Sequence, residues 1–305
     1  MAFAGNHGIF ILAILVVLSG CIGQNIEYPP ELPWSQPPSE SDALIIKSIQ
    51  SIPDEIVPGQ RAKILVYVEN RIDNPIKNIS AELFDYCQGT FTIVEEESQQ
   101  HQTIDRLLGR EVRELSWIIE AEEEIRLQNV CPADGVKVRV SYPFSTVSSA
   151  TISFIDENEM QRLFEEGKFR NIPSNIQLGA GPVKPKLTVQ DAQPVSTGSK
   201  TTVIGLQIEN VGNGFLRDSK ISKSQIKFES AGLPPVSAQL ESCIGSLETD
   251  EIRLIQKKSP VLPCEISIPE DVKGKIASSD TIFVELRNYE YEIRKSVIIR
   301  VKPKF

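Results

Sequence analysis

The strongest pattern along the chain is an alternation of apolar and polar residues that occurs twice, in residues 57–70 and in residues 197–210. The alternating apolar residues are Ile64, Val66 and Val68 in the first segment and Ile204, Leu206 and Ile208 in the second. Alternation places these residues on one face of a β-strand, the face that enters a core. In both segments a glycine turn precedes the pattern and Glu-Asn ends it. We therefore predict a core-facing strand near the start of each half of the chain.

Each half also closes with strongly β-forming runs around aromatic residues. In the first half these runs are residues 136–144 and 150–155, and in the second half they are residues 281–291 and 296–301. Each pair of runs predicts a hairpin. Short strands with turn signals between them are typical of all-β sandwiches. The sequence therefore predicts an all-β fold with two tandem β-sandwich domains.

One short helix is predicted between the two halves. Asp156 can cap its N-terminus, and Met160, Leu163 and Phe164 form an apolar stripe at helical spacing. Gly167 can end it. The stripe is interpreted as packing onto the end of the first domain, and the alternative is a docking helix for a partner.

The N-terminus carries the only long apolar run, from Ile9 to Leu18, which ends just before Cys21. This run fits a signal-peptide core of about 7–15 residues and is shorter than the about 20 residues needed to span a bilayer. Leu18-Ser19-Gly20-Cys21 resembles the lipobox of prokaryotic lipoproteins. The resemblance implies removal of residues 1–20 and lipid on Cys21, on the outer face of the cell membrane. The alternatives are an uncleaved anchor over roughly Phe3–Gly23 and secretion without lipid.

The predicted organisation follows from these features. It consists of a lipoprotein signal peptide at residues 1–20, a proline-rich tether at 21–42, a first sandwich at 43–155, a helix and linker at 156–182 and a second sandwich at 183–305. Proline favours extended polyproline II, so the tether is expected to be a semi-rigid spacer.

The four remaining cysteines fall two to each half, Cys87 with Cys131 and Cys243 with Cys264. Outside the cytoplasm such pairs favour disulfides, and pairing within each domain is the simplest of the three connectivities. The alternative is free buried thiols in a reducing compartment. With these four paired, Cys21 is left over, as lipidation requires.

Composition argues against several functions. The formal net charge is −9, whereas nucleic-acid binding requires clustered positive charge. His101 is the only histidine outside the predicted signal peptide, and it lies in a polar stretch. We therefore expect no histidine-based catalysis, no zinc site and no cofactor.

Residues 57–70, followed by residues 74–83, resemble the opening of CARDB-type Ig-like modules of archaeal and bacterial surface and S-layer-like proteins. Residues 197–217 resemble it more loosely. The resemblance implies two Ig-like β-sandwiches that serve as spacer, adhesion unit or interaction module. Trp117 is expected in the core of the first one, and the alternative is a sugar-stacking platform. Asn78-Ile79-Ser80 is a glycosylation sequon, so Asn78 is a candidate modification site in an exported protein.

These features predict a membrane-anchored cell-envelope lipoprotein with a structural, adhesive or protein-binding role and no catalysis. Its expected partners are the membrane, through the lipid anchor, and an envelope protein or surface glycan. One alternative is an accessory subunit of a pilus, secretion or transporter assembly that docks through the helix at 156–167 or an open sheet edge. Others are a carbohydrate-binding surface module and, against the sequence features, an enzyme or solute-binding protein.

Overall fold

Antiparallel β-strands make up most of the protein, as the alternation predicts. The computed structural model describes residues 41–124 and 135–302. Within these ranges the strands form several sheets and there are two α-helices. The all-β prediction is confirmed.

The elements in chain order are as follows. Before the first helix come β1 (Leu44–Ile52), β2 (Glu55–Ile56), β3 (Arg61–Asn70), β4 (Ile76–Asp85), β5 (Phe91–Ile93), β6 (His101–Leu107), β7 (Val112–Ala121) and β8 (Val136–Ile155). Helix α1 (Glu157–Glu165) precedes β9 (Asn175–Gln177), β10 (Val183–Val189), β11 (Val195–Ser196), β12 (Thr201–Asn210), β13 (Phe215–Leu216), β14 (Lys220–Ser222) and β15 (Ile226–Ser230). Helix α2 (Pro234–Gly245) precedes β16 (Glu251–Arg253), β17 (Leu262–Ser267), β18 (Ala277–Val297) and β19 (Arg300–Val301). Short 3-10 helices span Arg217–Ser219, Lys223–Gln225 and Glu270–Val272.

The two alternating segments form β3 and β12, and their alternating apolar residues are all buried. β3 lies in a sheet of order β1-β3-β7-β5, and β12 lies in a sheet of order β10-β12-β17. Trp117 on β7 is fully buried, and its Nε1–H donates to the Gln100 carbonyl at 3.0 Å. The core interpretation of Trp117 is therefore confirmed.

The predicted closing hairpins are wrong, because β8 and β18 are each one long continuous strand. They pair with each other antiparallel, from Val136 opposite Val297 to Ile155 opposite Ala277. The predicted turn between residues 291 and 296 is absent, and the irregularity lies instead at Asn288, which has φ +47° and forms a bulge. The Asn288 N–H donates to Ser145 Oγ at 3.0 Å, so two residues of β18 face one of β8.

The bulge keeps one face of the β8–β18 pair buried along its whole length. On β18 the buried positions are even-numbered up to Leu286 and odd-numbered from Tyr289 onwards. This pair forms the centre of a sheet of order β13-β18-β8-β4-β6. β1 packs against β18, and β10 packs against both long strands. One sheet therefore runs through both predicted sandwiches, and the described residues belong to one compact unit.

The C-terminal part of the chain returns to the first part. After β18, Arg300 of β19 pairs in parallel with Glu55 of β2. Lys302 forms an ion pair with the same glutamate. Hydrogen bonding to Lys302 lowers the pKa of Glu55. The last described residues thus pack beside some of the first.

Helix α2 is a feature that the sequence analysis did not predict. It begins at Pro234, and proline suits the first turn of a helix, where its missing N–H costs nothing. Val236, Leu240 and Ile244 recur at intervals of four and are buried. The helix packs against β15 and β17.

The described cysteines are all disulfide-bonded. Cys243 of α2 and Cys264 of β17 form a disulfide with Cα atoms 5.8 Å apart, which fixes the helix to the sheet. Cys87 is disulfide-bonded as well. Its predicted partner Cys131 lies outside the described residues, as do Cys21, the predicted signal peptide and nearly all of the predicted tether.

Candidate functional site

Helix α1 is present where the sequence predicts it, and it is exposed. The Asp156 carboxylate caps it by accepting from the N–H groups of Asn158 at 3.0 Å and Glu159 at 3.3 Å. None of its residues is fully buried. The predicted apolar stripe is therefore only partly covered by the domain that it follows.

Gly167 turns the chain back along α1. Its φ of +64° is a conformation that glycine adopts without strain. After this turn the N–H of Lys168 donates to the Leu163 carbonyl at 2.8 Å, and the N–H of Phe169 does so at 3.0 Å. The ring of Phe169 then stacks on Phe164 with centroids 4.1 Å apart. The residues after the helix are thus held against it.

These residues form one wall of an open pocket of about 550 Å³, which we call the helix-end pocket. The opposite wall is the end of β8 and the beginning of β18, which are adjacent in the central sheet. Leu163, Phe169 and Ile172 supply apolar surface from the helix side. Binding pockets commonly combine such an apolar lining with a few polar groups.

Two cationic side chains, Lys168 and Arg170, line the helix-end pocket. Lys168 forms an ion pair with Glu166 at 2.8 Å. Arg170 is exposed and has no ion-pair partner among the described residues. The hydroxyl of Ser278 is buried in the pocket wall without a hydrogen bond to any described residue. The pocket can therefore accept an apolar group next to a negatively charged one.

Arg162 pairs with one glutamate of α1 and with the glutamate that caps its C-terminus. Arg162 forms ion pairs with Glu159 at 2.7 Å and with Glu166 at 2.5 Å. Its hydrogen bonds to Glu159 and then to Glu166 raise the pKa of Arg162, and the hydrogen bond from Arg162 lowers the pKa of Glu159. Arg170 takes no part in these ion pairs.

Large apolar side chains are exposed beside the pocket. Phe164 is 54% exposed, Ile172 is 47% exposed and Ile276, next to the lining residue Ala277, is 70% exposed. Clustered exposed apolar residues mark binding surfaces more often than single ones do. The pocket and these three residues make up a candidate contact surface.

The described part of the chain begins far from this surface. Asp42 is buried, and its carboxylate accepts from the Asn213 N–H at 3.2 Å, close to Tyr291 of β18. From Tyr291 to Ala277 at the pocket, β18 extends about 45 Å at ~3.3 Å per residue. The candidate surface and Asp42, the last residue of the predicted tether, thus lie far apart along the long strands.

The other candidate residues do not join this site. His101 is exposed on β6, with Nε2 3.6 Å from a carboxylate oxygen of Glu82. Asn78 is exposed on β4. Within residues 41–124 and 135–302 no three His, Cys, Asp or Glu side chains are grouped as a metal site would require. In the same part of the chain, no helix has the length and apolar character to span a membrane.

Comparison with known proteins gives no relative from which a function could be transferred. No protein-family model matches the sequence, and a search of curated proteins finds no match. By its fold the protein belongs to the class of all-β proteins. Because the comparisons find no relative, its function must be inferred from its own residues.

Proposed function

We propose that the protein is a membrane-anchored cell-envelope lipoprotein that binds an envelope protein through the helix-end pocket and performs no catalysis. The observation that carries the binding role is the exposed helix α1, which lies beside an apolar pocket. Arg170 in the pocket lining has no ion-pair partner among the described residues. The proposed anchor is lipid on Cys21, followed by the proline-rich tether at residues 21–42. The CARDB-type resemblance of residues 57–70 supports a surface location.

The proposed partner segment combines apolar side chains with a carboxylate. Leu163, Phe169 and Ile172 would contact the apolar side chains. Arg170 would pair with the carboxylate, and complementary charge directs such contacts. An accessory role in an envelope assembly would use the same surface. A sugar-stacking role for Trp117 has no support, since this ring is fully buried.

If Cys21 carries the lipid anchor, replacing it with Ala changes the processing and the membrane association of the protein. The wild-type protein is expected in the membrane fraction, with diacylglyceryl on Cys21, because two acyl chains hold a protein at a membrane stably. Cys21→Ala is expected to retain its signal peptide or to leave the membrane fraction. Fractionation with intact-mass measurement checks this. The same membrane distribution for both proteins, with masses that differ only by the Cys-to-Ala substitution itself, would contradict the anchor.

Binding at the helix-end pocket should allow a cross-link from position 164 to the partner protein. A photoreactive aromatic residue in place of Phe164 is expected to cross-link an envelope protein at an apolar segment that contains Asp or Glu. Arg170→Glu in the same chain is expected to lower the yield about tenfold, since like charges would then meet. Mass spectrometry of the cross-linked peptide identifies the segment.

A matched control uses Leu108, which is 52% exposed between β6 and β7. The photoreactive residue at this position is expected to give no such adduct, and Arg170→Glu should not change its products. The same adduct from both positions, or a yield from position 164 that Arg170→Glu leaves unchanged, would argue against the pocket as the binding surface.

A further inference from the structure

The sequon at Asn78 lies at an irregularity of β4. Lys77 and Asn78 are both exposed between the buried residues Ile76 and Ile79, which breaks the alternation of the strand. Asn78 has φ +54°, a left-handed conformation that asparagine tolerates better than most residues. The side chain of Asn78 is thereby directed to solvent.

The backbone around Asn78 also has fewer strand partners than the rest of β4. Pairing with β8 begins only at Ser80, opposite Ser141. Pairing with β6 joins Lys77 to Arg106 and Ile79 to Ile104, but Asn78 itself forms no pair there. Its side chain makes no hydrogen bond to any described residue. The amide is therefore free of competing contacts within the described structure.

The residue that completes the sequon is also accessible. Ser80 is exposed, whereas Ile79 between the two polar residues is fully buried. The acceptor amide and the hydroxyl thus both reach solvent while the central residue holds the segment in the core. N-linked glycosylation of Asn-X-Ser requires an exposed sequon in an exported protein.

We propose that Asn78 carries an N-linked glycan. The donor would be a lipid-linked glycosyl phosphate at the outer face of the membrane, used by a glycosyltransferase of the envelope. Nδ2 of Asn78 bonds to the anomeric carbon as the bond from that carbon to the phosphate oxygen breaks. The phosphate leaves with the electron pair, and Nδ2 loses one proton. The proposal rests on the export that the proposed function includes.

The position of the glycan is compatible with the helix-end pocket. By the register of β4 against β8, Asn78 lies at the level of Pro143. From there to Ile155 at the pocket, β8 extends about 40 Å at ~3.3 Å per residue. A glycan on Asn78 would cover the outer face near β4 and leave the pocket open.

The test is peptide mapping of the full-length protein from membranes of its native organism. Trypsin cleaves after Lys77 and Arg106, so the peptide Asn78–Arg106 carries the site. Wild-type protein and Ser80→Thr, which preserves the sequon, are expected to give this peptide with added hexose or hexosamine mass. Ser80→Ala, which keeps Asn78 but breaks the sequon, and Asn78→Gln are expected to give only the unmodified mass.

Measuring Cys21 in the same samples separates the two proposals. An unmodified Asn78 peptide from protein with lipid on Cys21 would overturn glycosylation and leave the anchor standing. An unmodified peptide from protein with neither lipid nor membrane association would overturn both. Added sugar mass that persists in Ser80→Ala would also overturn the assignment to this sequon.

Discussion

A fragment that ends at Ile155 is expected to remain unfolded, although the sequence pattern predicts a domain over residues 43–155. In the full chain the C-terminal half of β18 pairs with β8 from Phe144 opposite Tyr289 to Val136 opposite Val297. The fragment loses these pairs, together with the buried side chains of Tyr289 and Tyr291. Removing one large core side chain costs about 2–5 kcal/mol, and a whole domain is stable by only ~5–15 kcal/mol.

Circular dichroism and urea unfolding of the purified fragment check this expectation. The control is a chain of residues 43–302, which keeps β18 and β19 and should unfold cooperatively. A second control adds residues 277–302 as a separate peptide, which should restore β-structure to the fragment by filling the vacant edge of β8. Cooperative unfolding of residues 43–155 alone, with no effect of the peptide, would mean that the first part folds independently.

Raising the pH above about 10 is expected to destabilise the protein steeply. Tyr142, Tyr289 and Tyr291 are buried where the long strands meet, and their rings make edge contacts within an aromatic cluster that includes Phe144. Burial raises the pKa of all three hydroxyls. The folded protein therefore keeps them protonated, while the unfolded chain releases their protons from about pH 10 upwards.

Above about pH 10 the folded state binds more protons than the unfolded state, so the free energy of unfolding falls as the pH rises. Below the unfolded pKa the contribution of these tyrosines to stability is complete, and it is lost as the pH rises toward their folded pKa values. Each tyrosine contributes a slope of about 1.4 kcal/mol per pH unit, so the three together contribute ~4 kcal/mol per pH unit. Urea unfolding between pH 8 and about pH 11, followed by the fluorescence of buried Trp117, measures this slope.

Tyr289→Phe provides the control, because it removes one titrating hydroxyl and keeps the ring. It loses the 2.7 Å hydrogen bond to Thr146, so stability at pH 8 should fall by about 1 kcal/mol. The alkaline slope should fall by about one third. Tyrosinate absorbance that reaches its full value before the protein unfolds would show that these hydroxyls ionise in the folded state.

Sequence patterns predicted the parts of the fold that local chemistry decides. The alternation in residues 61–70 and 201–210 identified two central strands, because burial on one face requires a period of two. Asp156 and the apolar stripe after it identified α1. Helix α2 was not predicted, although it begins with Pro234 and Pro235, and proline at the start of a helix is favourable.

The sequence patterns did not predict which distant strands pair with each other. Residues 136–155 and 277–297 each form one strand instead of a hairpin, because each pairs with the other along its length. The helix-end pocket could not be predicted either. Its walls come from three parts of the chain that meet only when β8 and β18 pair. The sequence did identify α1, and the docking alternative for it followed from the same apolar stripe. No sequence motif around Arg170 indicates that it lines a pocket.

The β8–β18 pair also determines how the protein would respond to force. Helix α1 follows β8 after a single residue, so a partner that pulls on the helix pulls β8 along its own axis. The ladder to β18 is then loaded in shear, and its hydrogen bonds must break together instead of opening one by one from an end. Force applied to α1 would thus be resisted by the whole β8–β18 ladder at once.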